Sequence, residues 1–290
     1  MMDFLAKALI IGLTEQAPLI LAAIGMALIY FLSKVINVAF AETITLGAYF
    51  GMWFNTTFGV NFYASMIAAA ILAGLLSVAT YLLVFRPAHL RSVGMVEVII
   101  ISLGLSVFLR HGLQFVFGYS ARFYDVPPAE RVSVLGVGVT TFQITAVALV
   151  IALAFALYWF VQRTNYGQQI RALASDESLA KVSGINPLVV TLMIWFIAGV
   201  AGGLAGAFWG VAANVQPDLG WNRFLLILLV VLVGGAWGIR GVIIAGLGTG
   251  VLLSGLKLEI PPLRAEILLL VVFIVILKLR GDRSSETAKV

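Results

Sequence analysis

Gln162 to Pro187, Q-R-T-N-Y-G-Q-Q-I-R-A-L-A-S-D-E-S-L-A-K-V-S-G-I-N-P, is a polar stretch set between two apolar ones, Thr141 to Val161 and Leu188 to Val211. Apolar runs of this length are membrane crossings, so the stretch between them lies in water. It carries helix punctuation. Ser175 or Asp176 is placed to cap a short helix with Asp176 and Glu177 in its first turn and Lys181 in its last; Gly184 stands at the C′ position and Asn186-Pro187 stops it. Leu179 and Val182, three apart, share a face. A capped helix that offers apolar residues to water suits docking into a groove on a soluble partner.

The rest of the chain agrees with a membrane setting. Of 290 residues, 62% are apolar and 11% charged, far outside the range of a soluble domain. With no cysteine there are no disulfides, thiolate metal sites or cysteine nucleophiles. The N-terminus, with Asp3 and Lys7, lacks a basic n-region and a small-residue cleavage site, so the first apolar stretch is expected to stay in the mature protein.

Apolar runs predict helices near 8–32, 35–57, 60–85, 95–117, 140–161 and 188–212. The stretch 224–258 is too long for one span and is broken by Gly234-Gly235-Ala236-Trp237-Gly238-Ile239-Arg240-Gly241, giving two helices or a re-entrant pair; Pro262 to Leu279 supplies the last. The expected fold is an all-α polytopic membrane protein of about 8–9 crossings, with one domain over 1–280 and a short tail over 281–290. With the N-terminus outside, eleven Lys and Arg fall on the cytoplasmic side and six on the other, Arg110 being left within a span. That asymmetry obeys the positive-inside rule and makes the Gln162 stretch cytoplasmic.

Gly199, Gly203, Gly206 and Gly210 form small-xxx-small patterns in the sixth span, and Gly246, Gly250 and Ser254 repeat the device later. Such faces let helix backbones touch, either within the chain or against another subunit. Among ionisable residues at membrane depth, Glu97 lies near the inner end of its span and Arg110 with His111 is expected to snorkel outward, while Glu15 sits halfway along the first span. Glu42 stands apart. With Asn37, Thr43 and Thr45 it makes a polar strip inside an apolar helix, so it either lines a pathway or supports one as a buried structural carboxylate. The loop 118–139 carries Arg122, Asp125, Glu130 and Arg131, charges that are either merely solvated or complementary to an external docking protein. No catalytic or nucleotide-binding motif occurs, so the chain is not expected to be an enzyme, and energy must come from a partner or an ion gradient.

Several motifs together resemble the permease subunits of high-affinity branched-chain amino acid ABC importers, the shorter LivH type more than the longer LivM type. The family's I-N-F-A-H-G-[DE] and L-G-A-Y read here as Ile36-Asn37-Val38-Ala39-Phe40-Ala41-Glu42 and Leu46-Gly47-Ala48-Tyr49, with Phe40 and Ala41 in place of His and Gly. Ile101 to Leu109 is similar to its fourth-helix stretch. Gly167, Ile170-Arg171-Ala172, Asp176, Ala180 and Gly184-Ile185-Asn186 match its coupling segment, and Gly234, Gly235, Gly238 and Gly241 its late glycine turn. The resemblance implies an importer in the bacterial cytoplasmic membrane working by alternating access. Its partners would be a second homologous permease subunit, two cytoplasmic ATPases that use ATP and Mg, an extracytoplasmic solute-binding protein and membrane lipid. This chain would bind no cofactor and no nucleic acid. The competing class is an ion-coupled secondary transporter with Glu42 as its cation or proton site.

Overall fold

Proline and glycine decide where the apolar runs break. The computed structural model describes residues 2–127, 130–134, 137–235 and 238–287. The expected first span is two helices, α1 (Met2–Glu15) and α2 (Ala17–Ser33), bent by 52° at Gln16. Pro18, in the first turn of α2, has no N–H to continue the α1 ladder. Lys34 then takes a left-handed conformation and returns its N–H to Tyr30 O at 2.8 Å, so 34–39 is irregular and α3 (Phe40–Phe58) starts five residues later than expected. After α3, a rod from 62 to 90 comprises α4 (Phe62–Thr80), a π turn (Tyr81–Phe85) and α5 (Arg86–Leu90). The π turn lies just before Pro87, whose ring displaces the carbonyl four residues back.

α6 (Met95–Phe117) leads into the one departure from an all-α chain among the described residues, an antiparallel hairpin of β1 (Arg131–Val134) and β2 (Val137–Thr140). Its register runs from Arg131↔Thr140 to Val134↔Val137. The alternation of valine with polar or small residues in 131–140 favours extended pairing, so the hairpin replaces part of the loop expected over 118–139. α7 (Thr141–Arg163) opens with a capping box between Thr140 and Gln143. Then come α8 (Asn165–Ser175), α9 (Glu177–Val182), α10 (Pro187–Ala212), α11 (Trp221–Gly234), α12 (Gly238–Glu259) and α13 (Pro262–Thr287). Ala236 and Trp237 of the expected glycine turn lie outside the described residues, as do 288–290 of the expected tail; α13 itself runs past residue 281.

Among the described residues, five helices are long and apolar enough to cross a membrane, six if the bent α1–α2 pair counts as one, and the chain is a multi-pass membrane protein. α3 fails that test because of its polar strip, yet it is among the most deeply buried helices, with Glu42, Ile44, Thr45, Ala48 and Tyr49 all shielded. α2, α3, α4 and α10 form the centre, while α6 and α7 turn Phe108, Phe115, Ile151 and Phe155 outward to lipid or partner. The centre is held by backbone contact. A Cβ on Gly47 would sit 2.4 Å from the Gly203 Cα, and one on Gly206 only 1.9 Å from Ile44 O. Gly199 and Gly203 press on Ala73 of α4, and Gly210 on Tyr124, so the glycine face of α10 is spent inside the chain and is not left for another subunit. Gly234 meets Gly241 and Val242 in the same way where α11 gives way to α12, with Gly238 at φ +70°, whereas a Cβ on Gly235 would meet only Phe31, at 3.5 Å, among the described residues.

Candidate functional site

At one end of the bundle lies the segment 164–186, an elbow in which each sequence signal has a mechanical task. Thr164 ends α7 and caps α8: its Oγ1 donates to Phe160 O at 2.6 Å and accepts from Gly167 N at 3.1 Å. Gly167 is required because a Cβ there would meet Val161 O at 2.2 Å. Arg171 donates to the same Val161 carbonyl and pins α8 back against α7. Of the two candidate caps for α9, Asp176 is the one used: Oδ1 accepts from Leu179 N at 3.0 Å and from Ser178 Oγ at 2.9 Å. Those bonds hold the exposed Asp176 carboxyl below the usual carboxylate range.

The far end of α9 closes as expected. Gly184 takes φ +81°, Gly184 N donates to Lys181 O at 3.0 Å and Ile185 N to Ala180 O at 3.1 Å, a Schellman pair. Asn186 then caps α10 through Leu188 N at 3.1 Å. Ala180 and Leu173 face the bundle and are buried, while Leu179 and Val182 are 67% and 87% exposed. Glu177 turns back toward the bundle, bound to Lys181 at 2.8 Å and to His89 of α5 at 3.5 Å. The Lys181 hydrogen bond, helped by His89, draws the Glu177 carboxyl below its ordinary range. α8 was missed in the sequence; Thr164 as a cap and the Ile170–Leu173 spacing were the available signals.

The second constellation is at mid-depth. Val38 N donates to Ser102 Oγ at 3.1 Å, and Glu42 Oε1 accepts from Ser106 Oγ at 2.9 Å and from Arg110 Nε and Nη2 at 3.1 and 3.0 Å. Ser106 is eleven residues into α6, about 16 Å along its axis, half of a bilayer core of about 30 Å. α3 therefore begins deep in the bundle, with Glu42 in its first turn where the helix dipole favours an anion. Arg110 does not snorkel outward as expected; it turns in to Glu42 and lies over the Trp221 ring at 4.0 Å.

Trp221 is the first residue of α11, whose fourteen residues span about 21 Å, too short for a bilayer. The connection before it dips inward: Gly220 N donates to Thr45 Oγ1 at 3.0 Å, and a Cβ on Gly220 would strike Ala41 O at 1.9 Å. Two helices that start inside the bundle thus meet at Glu42–Arg110–Trp221. Glu42 Oε2 and Asn37 Oδ1 are buried without a hydrogen-bond partner among the described residues. Asn37 also lines a cavity of about 560 Å³ that opens beside the elbow, between Phe85, His89, Val98, Glu177 and Trp195.

At the opposite, hairpin end, Arg122 is bound into the structure. Its backbone bridges Val215 in both directions, at 3.0 and 2.8 Å, and its guanidinium donates to Phe117 O at 2.8 and 3.2 Å. Asp125 is tied through its N–H to Asn55 Oδ1 at 2.6 Å, and Glu130 through its carbonyl to Thr141 N at 3.2 Å, while its side chain and that of Arg131 are exposed.

Comparison with known proteins agrees with these features. The family described as branched-chain amino acid transport system, permease component, matches residues 8–277. The high-affinity branched-chain amino acid transport system permease protein BraD of Pseudomonas aeruginosa is 26% identical over 84% of each chain. The probable branched-chain amino acid transport permease protein LivH of Methanocaldococcus jannaschii is also 26% identical, over 80% of this chain and 75% of its own length. The guanosine ABC transporter permease protein NupQ of Bacillus subtilis is 27% identical over 82% and 78%. No solved structure matches the chain.

Proposed function

Because this chain belongs to the permease-component family of branched-chain amino acid transport systems and is an ABC importer permease, we propose that it carries branched-chain amino acids inward as half of a permease pair. The other half would be a homologous subunit, with two ATPases on the elbow side and a solute-binding protein on the hairpin side. The observation that carries the reading is the elbow: a short helix capped at both ends, with its inward face buried and Leu179 and Val182 left to water. A transporter driven by an ion gradient has no use for such a lever. In the proposed topology the bent α1–α2 pair, α3, α4–α5, α6, α7, α10, the dipping 213–220 connection completed by the short α11, α12 and α13 make nine crossings of a bacterial cytoplasmic membrane, in one domain with a short C-terminal tail.

In the proposed cycle, ATP-driven closure of the ATPases pushes on Leu179 and Val182. Gly167, Arg171, Asp176 and Gly184 keep the elbow stiff, so the push is passed to α7, α10 and, through Glu177–His89, to α5. The mid-depth junction is the part to be opened, since Glu42 and Thr45 lie where α3 and the 213–220 connection meet and Asn37 lines the cavity that opens beside the elbow. Hydrolysis restores the closed form. This chain supplies no catalytic group and binds no cofactor in this reading, ATP and Mg being used by the ATPases. Branched-chain amino acids are favoured as cargo by the BraD and LivH relatives, although the NupQ relative is named for guanosine.

The test is uptake of leucine into proteoliposomes holding the assembled complex. Uptake is expected to require both ATP and the solute-binding protein and to be indifferent to collapse of proton and sodium gradients. Uptake driven by either gradient without ATP would overturn the reading.

A further inference from the structure

A cavity of about 790 Å³ lies at the hairpin end, away from the elbow, among α1, α2, α7, α10, α11, α12 and α13. Its wall is apolar along Phe208, Leu225 and Leu253 and carries four charges, Glu15, Arg223, Lys257 and Glu266. Lys257 and Glu266 answer each other at 3.1 Å. Lys257 reaches Glu15 only through space, and Glu15 makes no ion pair or hydrogen bond among the described residues. Arg223 spends one donor on Leu219 O at 3.0 Å and lies over the Trp209 ring at 4.9 Å; Glu266 and Asp218 reach it only through space, and the rest of its fork has no hydrogen-bond acceptor among the described residues.

Glu15 and Arg223 are both placed against their own helices. Glu15 is the last residue of α1, where the unpaired carbonyls are already negative, and Arg223 is in the first turn of α11, where the unpaired N–H groups are already positive. Each reinforces the field of its helix end. One side of the cavity is thus prepared for a cation and the other for an anion, with apolar walls for a tail and Asn222 beside the anion side.

We propose that this cavity binds a zwitterion bearing an apolar tail, its acidic group on Arg223 and the α11 N-terminus, its ammonium on Glu15 and the α1 C-terminus. Two sources share this chemistry: a free α-amino acid with an aliphatic side chain, and the headgroup of an ethanolamine phospholipid. The first of these rests on the proposed function and makes the cavity a waiting place above Trp221; the second does not.

The test uses the full-length chain in its purified complex, without solute-binding protein, in phosphatidylglycerol discs. L-leucine, 4-methylpentanoate and 3-methylbutylamine are titrated by calorimetry, and retention of added phosphatidylethanolamine is read by native mass spectrometry. One zwitterion is expected to bind, leucine identifying the free amino acid and phosphatidylethanolamine the lipid. If it is leucine, the single-charge analogues bind at least ten-fold more weakly, and Glu15→Gln removes the preference for leucine over 4-methylpentanoate. Arg223→Gln weakens whichever zwitterion binds at least ten-fold. If it is the lipid, its retention exceeds that of a diacylglycerol and falls in both variants. Should a variant fail to fold, the wild-type comparison of one charge against two still decides. The proposal is overturned if neither zwitterion binds, if a ligand bearing one charge or none binds equally well, or if folded variants bind as wild type does. ATP-driven leucine uptake together with no binding in this cavity would remove the site and leave the proposed function standing.

Discussion

The elbow and the mid-depth junction solve the same problem, fixing polar groups in a mostly apolar molecule, by opposite means. The elbow is held mainly by local bonds, Thr164 to Gly167, Arg171 to Val161, Asp176 to Leu179 and Ile185 to Ala180, with Glu177 to His89 as a distant tie. In the junction every decisive bond is distant, Glu42 to Arg110 across 68 residues and Gly220 to Thr45 across 175. Local caps cost little to form one at a time and can be lost one at a time. A buried ion pair stands or falls as a unit, because a lone charge left in a desolvated site costs several kcal/mol. In the proposed cycle, the elbow can be pushed without losing its form, and the junction holds one arrangement until another is supplied.

The largest effect expected from breaking this contrast is at the junction. Arg110→Leu strands Glu42 and should cost about 3–5 kcal/mol, seen as loss of folded protein or a large drop in Tm in detergent; adding Glu42→Gln should recover much of the loss. If Arg110→Leu melts like wild type, the pair does not hold the junction. Next comes the backbone contact of α3 with α10. Gly206→Val must separate the helices and should cost about 1–3 kcal/mol or more, whereas Gly248→Val, where no atom lies within 4 Å, should melt within error of wild type.

In the elbow the effects are smaller on stability and larger on transport. Leu179→Asp with Val182→Asp should leave Tm unchanged but uncouple ATPase activity from uptake. Retained coupling would remove the docking role. Asp176→Ala should loosen the first turn of α9 by removing its cap, visible as faster amide exchange at Leu179. The smallest effect is with pH. Asp176 and Glu177 have carboxyl pKa values lowered in the folded elbow, so their contribution is complete above the ordinary carboxylate range and fades as pH falls through the lowered values. Amide protection in α9 should therefore be flat from neutral pH down to the carboxylate range and decline below it. Side is tested separately: cysteine at Ser178 should label only from the cytoplasm, and cysteine at Ser133, in the hairpin, only from outside.

What was legible followed the same divide. Gly184 and Asn186 announce themselves because a left-handed C′ residue and a cap are properties of a few neighbouring residues. Glu42 was legible as an anomaly, but its partner was not: nothing in the spacing of 42 and 110 says that they meet, and a side chain as long as arginine has an outward alternative that local reasoning prefers. The start of α3 at Phe40 was hidden for a related reason. A hydropathy window reads apolar content, and it cannot tell a helix that faces lipid from one that other helices shield.

The Gly47–Gly203 and Gly206–Ile44 contacts have a kinematic consequence. Helices whose main chains interlock this closely cannot slide past one another without first parting, so α3 and α10, with α4 pressed on the same glycines, travel as one body. Any stroke the molecule makes has to be taken up at its joints: the bend at Gln16, the irregular run 34–39 and the dipping connection 213–220. All three lie at ends of helices in or against that body, as the pivots of a crank lie outside its arm.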